Sequence, residues 1–438
     1  MLRLVRFDEH FEVQEDDRLE ARTEANWVAS LFDIVPMGTG QCGLGAKAAY
    51  NAEVLINTAV IGWDTWSNHD RVRLTQFRVT PADTILRHWP TYDQLADNPR
   101  SSFSDPVALD VPVKGGRVRI RYTLCFDMSN GYLRKNIWPV IEMDFNDGVT
   151  LTGLRAQTHA FVSFLSAAAS RSLAAHEQIV SRFTCAELAE HLERGTRGTE
   201  HSIYVWELDQ SLRAQSTTRV DVGSFVLLVD DNERAAFIEC LQQWFDRYSE
   251  WEKATSAMMD AFTLQGVTGS DRLLNATKWV EATPGTGARR AMSEEHIKEI
   301  SDVMSRRADE LGLGGIYDRL SNCLGMVASE TRLQRFSRLT HDLKAFYGNL
   351  IVGDDLAEWV NEAFGVRNKA AHSPIIYSSE VERTRMYMAI HAAECFAYLM
   401  LLRELPMSDE GKTRVAEAPL VRFYTENIKG RTPGDITG

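Results

Sequence analysis

Near Asp231 the hydrophobic pattern of this chain changes period, and that switch divides it into two parts that must fold by different rules. Before it, short runs alternate or favour β-branched and aromatic types, as at Ala52–Ile56, Arg71–Thr75, Val118–Leu124 and Val140–Phe145. Turn-forming residues separate them at Ser67–Asn68, Asp97–Pro99, Gly115–Gly116, Ser129–Gly131 and Asn146–Gly148. Many short strands at such spacing predict a sandwich-like or curved sheet rather than a parallel α/β fold. A few helices join them, over about 153–173 and at Cys185–Glu193, with further strands at Ser202–Trp206 and Gly223–Val229. After the switch, Phe237, Leu241, Trp244, Phe245, Tyr248, Trp251, Met258 and Phe262 recur at helical spacing behind a possible cap at Asp231–Asn232. Helices are predicted over 270–283, 293–310, 314–327, 331–350, 354–364 and 381–405, the last ended by Pro406. The expected organisation is an α+β chain: a β-rich, sensor-like domain at 1–232, an all-α bundle at 233–429 and a flexible tail at 430–438.

At 438 residues the chain is too long for one ordinary core, which agrees with that division. A net charge of −13 excludes general coating of nucleic acid, so any phosphate contact needs a local basic patch. No run of 18 apolar residues occurs, so no membrane span is expected. The six cysteines, at 42, 125, 185, 240, 323 and 395, form no CxxC pair, and the first residues carry charges throughout. That pattern predicts a reduced, cytoplasmic protein without structural zinc.

Several constellations have a plainer reading that wins. Gly38–Gly43 fits GxGxxG, but Pro36 interrupts the preceding strand and Tyr50–Ile61 reads as another strand. A glycine-rich connection between strands is expected there, and no nucleotide or other cofactor. His159, His176, His191 and His201 lack the paired spacing of metal ligands. Trp63, Trp66, Trp89 and Trp138 could form a stacking surface, yet large aromatics are more often core. Arg332, Arg335, Arg338, His341 and Lys344 recur every third residue. At about 100° per residue they spiral round the helix, so a solvated face is expected, with Leu333, Phe336, Leu339, Leu343, Phe346 and Tyr347 buried. Adjacent members such as Arg335 and Arg338 remain candidates for a phosphate contact.

Between two long helical patterns lies the polar stretch Gly365–Pro374, with Arg367, Asn368, Lys369 and His372 inside it. Arginine is always cationic, an amide both donates and accepts, and histidine exchanges a proton near neutrality. Together they suit a substrate with an anionic transition state, such as a phosphodiester. Asn368 and His372 stand at i,i+4 and face each other on a helix. Arg367 and His372 stand at i,i+5, about 140° apart, so one straight helix does not bring both to one atom. On spacing alone, His372 before Ser373–Pro374 also fits a simple helix end.

The sequence Arg367–Asn368–x–x–x–His372, between two helices of an all-α region, resembles the R-x(4–6)-H motif of HEPN domains. The helix Leu273–Glu281, with its acidic residue, resembles the first core helix of the Apea-like branch of that family. A β-rich domain of this size in front resembles the N-terminal domain of ApeA-type bacterial antiphage proteins. The resemblance implies a metal-independent endoribonuclease effector of abortive infection, with Arg367, Asn368 and His372 catalytic and Lys369, Arg335 and Arg338 as candidate RNA contacts. It implies products ending in 2′,3′-cyclic phosphate, a homodimer or higher homo-oligomer built through the helical domain, and a phage-derived trigger at the N-terminal domain. The alternative is a non-catalytic module for dimerisation or RNA binding, with a ligand- or phage-protein-sensing β domain.

Overall fold

The computed structural model describes residues 19–22, 27–42, 49–62, 65–80, 107–127, 134–193, 203–207, 225–229, 232–264, 269–316, 327–370 and 379–436, together with 85–86, 90, 93, 319, 321 and 323–324. The chain forms two compact units, Met1–Val222 with Leu227–Asp246, and Gly223–Val226 with Arg247–Gly438. The division falls inside the long helix Arg234–Thr263, so the expected boundary at 232/233 lies within the first unit.

The first unit is built on nine strands: β1 (Leu19–Arg22), β2 (Val28–Cys42), β3 (Ala49–Gly62), β4 (Val72–Thr80), β5 (Val107–Val113), β6 (Gly116–Asp127), β7 (Arg134–Val149), β8 (Ala174–Ser181) and β9 (Ile203–Glu207). They form one antiparallel sheet in the order β1-β2-β3-β9-β8-β4-β7-β6-β5. The sandwich expectation is corrected here: among the described residues the strands share one hydrogen-bonded sheet instead of stacking as two. Gly38–Cys42 belongs to β2 and pairs with Ala49–Glu53 of β3, after a register shift between Pro36 and Gly38. Among the described residues the next element is the strand β3, where a dinucleotide turn requires a helix.

Helix α1 (Leu151–Ala169) starts at Thr150, whose hydroxyl accepts from the Gly153 N–H, and packs on β4, β7 and β8. Phe161 meets Phe77 edge to face at 6.0 Å, and the Gln178 side-chain amide donates to the Thr75 and Thr158 hydroxyls. The other sheet face carries a registered polar row across four strands: Gln76, Glu142, Arg119 and Asp110. Glu142, only 1% exposed, accepts from Gln76 at 2.9 Å, Arg119 at 2.8 Å and Arg121 at 3.1 Å. Helix α2 (Cys185–Glu193) matches the expected bounds, and Glu187 in its first turn pairs with Arg73. Gly223–Val229 is not a strand where described: Phe225, Val226, Leu227 and Val229 are buried in irregular chain. Among the candidate stacking tryptophans, Trp66 is buried beneath Arg182 and Trp138 lies half-buried near Arg78, while Trp63 and Trp89 fall outside the described residues.

After α3 (Arg234–Thr263), the second unit contains α4 (Ser270–Ala282), α5 (Glu294–Glu310), α6 (Arg332–Tyr347), α7 (Leu356–Ala370), α8 (Glu380–Arg403) and the shorter α9 (Asp409–Arg414) and α10 (Pro419–Asn427). The helix expected over 314–327 falls largely outside the described residues, which show a single 3₁₀ turn at Gly314–Ile316. Helix α8 is buried on every side from Ala389 to Leu402, which marks it as the centre of the bundle, with α4, α6, α7 and α10 against it. Within the expected flexible tail, residues 430–435 are instead tied down. The Trp359 indole donates to the Arg431 carbonyl at 2.6 Å, the Gly430 N–H to Asp355 at 3.1 Å, and Thr432 and Asp435 cap each other. Leu333, expected inside, is 42% exposed, while Phe336, Leu339, Leu343 and Tyr347 are buried.

Two buried charges join α4 to α8. The Arg272 guanidinium donates to both Glu394 oxygens, at 2.8 and 2.7 Å, with both side chains fully buried. Burial raises the Glu394 pKa, and the guanidinium opposes that rise. His391, stacked on Phe423 with centroids 4.0 Å apart, meets the same guanidinium at 3.2 Å. Burial and that cation push its pKa down to about 3, so the ring is neutral and can accept. Glu394→Gln, which leaves an uncompensated buried cation, is expected to cost about 3–5 kcal/mol in urea unfolding. Joint replacement by Arg272→Met and Glu394→Leu should recover most of that loss; a double variant no more stable than Glu394→Gln would contradict the account.

Candidate functional site

Helix α6 begins with a reciprocal cap: Thr331 accepts from the Gln334 N–H, and Gln334 accepts from the Thr331 N–H. That cap fixes the start of the turn carrying Arg332 and Arg335. Helix α7 runs through Gly365 without interruption and carries Arg367 and Lys369 in its last turn, where cations suit the helix dipole. Helix α4 ends with Glu281 in its last turn, where a carboxylate is disfavoured by its own helix. An ion pair offsets that: Arg367 donates to Glu281 at 2.7 Å.

These three helices and the chain before α6 line a cleft of about 460 Å³, bounded by Glu281, Ala288, Glu330, Arg332, Arg335, Phe364, Arg367 and Asn368. Arg332 donates from Nε to the side-chain amide oxygen of Asn361 at 2.7 Å. Its guanidinium carbon and that of Arg367 each lie 5.7 Å from the centre of the Phe364 ring, within cation–π reach. Burial lowers the pKa of Arg332 and of Arg335, and for Arg335 the Glu281 and Glu330 charges oppose that fall. Glu330 is held by Arg338, at 2.5 and 3.1 Å. That hydrogen-bonded pairing pushes the Glu330 pKa down to about 2.

The candidate residues therefore separate. Arg367, Asn368 and Arg335 line one cleft; Lys369 is exposed on α7 outside the lining. Arg338 is bound to Glu330 and donates to the Gly287 carbonyl at 3.3 Å, so it supports the rim instead of facing the cleft. His372 lies outside the described residues. The expectation that the arginines of α6 only face solvent is corrected for Arg332 and Arg335, because α7 covers that side of the helix with Phe364. Arg332, Glu330 and Phe364 carry no motif, and Glu281 entered only with a resembling helix. Their one sequence signal is the i,i+3 pair of arginines at a helix start.

Of the histidines weighed as metal ligands, His159, His176 and His191 lie in α1, β8 and α2, and His201 falls outside the described residues. No group of three or more His, Cys, Asp or Glu among the described residues is placed to hold a metal ion. None of the described helices is long and apolar enough to cross a membrane.

The Glu330–Arg338 pair sets a pH dependence. A carboxylate whose folded pKa lies near 2 against an ordinary 4.5 contributes stability above pH 4.5, and loses it as pH falls from 4.5 toward 2. Glu330→Gln should cost about 2 kcal/mol at pH 7 and flatten the acid limb of the unfolding curve over that window. An unchanged limb in thermal melts from pH 5 to pH 2 would contradict the pairing. No family model matches this chain, and neither a curated protein nor a solved structure does.

Proposed function

We propose that this chain is a metal-independent endoribonuclease of the HEPN kind, a cytoplasmic effector of antiphage defence that acts by damaging RNA. The observation that carries the reading is the shared cleft: Arg367 and Asn368, neighbours in the motif, face it beside Arg332, Arg335 and the carboxylate of Glu281. A cleft of this size admits a short single-stranded segment, and arginine forks match phosphate oxygens.

RNA carries its own nucleophile in the 2′-hydroxyl. The neutral imidazole of His372 takes the proton from that hydroxyl as O2′ bonds to phosphorus. The P–O5′ bond breaks, and O5′ leaves with a proton from an imidazolium. Arg367 stabilises the negative charge growing on the non-bridging oxygens, and it must leave Glu281 or share it to do so. Asn368 orients His372 or the phosphate. The products are a 2′,3′-cyclic phosphate and a 5′-hydroxyl. At i,i+5 spacing one straight helix would not bring Arg367 and His372 to one atom, so two chains across one cleft form the working site. The first unit receives the infection cue.

The Arg367–Glu281 pair also favours a second reading, a module that binds RNA without cutting it. Mapping RNA ends in induced bacteria separates the two. Wild type exposed to the triggering infection should accumulate 2′,3′-cyclic phosphate ends that His372→Ala loses by at least about a hundredfold, in line with removal of a general base. Cleavage by purified protein should persist in EDTA. Identical end maps for the two proteins would leave the binding module, and strict metal dependence would defeat the mechanism.

A further inference from the structure

Arg332 and Arg335 are one turn apart on a capped helix and line the same cleft as Arg367. The cleft's other charges are already committed. Glu281 is paired with Arg367 and Glu330 with Arg338. Glu362, which acts electrostatically on Arg332, is paired with Arg385 at 2.9 Å. Arg332 spends its Nε on Asn361 and makes no other hydrogen bond among the described residues. Arg335 lies against the Phe336 ring, and its Nε is shielded from solvent with no acceptor among the described residues. A half-buried guanidinium with an unmet donor pays for desolvation without the compensation such groups normally find. Such a group beside Arg332, in a cleft that already holds Arg367, leaves positive charge uncompensated where a ligand can enter.

We propose that Arg332 and Arg335 form a subsite for the phosphate next to the scissile one, so that the cleft binds two consecutive phosphodiesters of one RNA strand. The inference rests on the ribonuclease reading. Arg367 takes the reacting phosphate; Arg335, with Arg332 beside it, takes the neighbour. The Phe364 ring lies within cation–π reach of the guanidinium groups of both Arg332 and Arg367, so one ring serves both positions. A dinucleotide, with one phosphate, occupies half of this arrangement, and a trinucleotide is the smallest ligand that fills it. The two arginines are positioning residues: they hold the strand in register and do not touch the bond that breaks.

The test compares random-sequence dinucleotides and trinucleotides on the full-length protein. Wild type should favour the trinucleotide pool in kcat/KM by about tenfold to a hundredfold, the worth of a charge-assisted phosphate contact. Arg335→Gln should bring that ratio close to one. Uncleavable 2′-O-methyl versions of both pools, followed by fluorescence anisotropy, should show the same ratio in Kd. The salt dependence of trinucleotide binding should become shallower by about 0.7 in log–log slope for Arg335→Gln. If wild type cuts no RNA but binds the 2′-O-methyl trinucleotide more tightly through Arg335, the ribonuclease reading falls and the subsite stands. Equal Kd values for the two pools on wild type, or a length preference that survives Arg335→Gln, overturn the subsite. Should Arg335→Gln fail to fold by thermal melt, Arg332→Gln decides by the same ratio.

Discussion

A bidentate ion pair sealed inside the helical bundle, Arg272 with Glu394, orders everything around the cleft. Each charge in that place demands the other, because leaving one alone costs several kcal/mol, whereas apolar residues of similar size would pack there with little loss. The pair therefore contributes orientation more than stability. Arg272 lies in the first turn of α4, and Glu281 lies nine residues later, about 13 Å further along that helix and on its opposite side. Fixing the rotation of α4 against α8 at Arg272 consequently directs Glu281 toward Arg367. The neutral His391 ring closes the third side of the arrangement and keeps the guanidinium from turning.

The cleft shows how charge is distributed when several arginines must coexist. Arg338 and Arg367 each have a carboxylate, and Arg332 has an amide carbonyl. Arg335 has the face of a ring and no acceptor for its Nε among the described residues. Partners thus become weaker across the group, and the least satisfied donor, Arg335 Nε, is shielded from solvent. Phe364 is 4% exposed, so it serves as a floor for guanidinium groups and presents no open surface for a base to stack on.

Local pattern carried well where the cause of an element is local. The turn residues at Gly115–Gly116 and the apolar spacing at Cys185–Glu193 correspond to the β5–β6 connection and to α2. The single sheet was not legible, because strand order is set by pairings such as β8 with β4 across a hundred residues, and periodicity says nothing about partners. Gly223–Val229 misled for a related reason. A short apolar run meets the requirements of a buried strand and of a buried irregular segment equally, and here Arg414 donates to the Phe225 and Val226 carbonyls in place of a neighbouring strand. The site was half legible. Arg367 and Asn368 stand out by residue type, but the spacing of the arginines on α6 describes only a helix standing alone. A neighbouring helix can shelter one side of any spiral.

The polar row of Gln76, Glu142, Arg119 and Asp110 has a consequence for assembly. Side chains on a strand alternate between faces, so a slip of one residue in the β6–β7 pairing exchanges the two faces of the slipped strand. Glu142 would then be driven beneath α1, against Phe161 and Leu154, while Ile141 and Met143 would emerge among arginines. A slip of two residues keeps the faces, and Arg117 and Arg121 share the face of Arg119, so the row excludes odd slips. The row thus fixes which face each of these strands turns to the core, in a sheet whose edge strands come from distant parts of the chain.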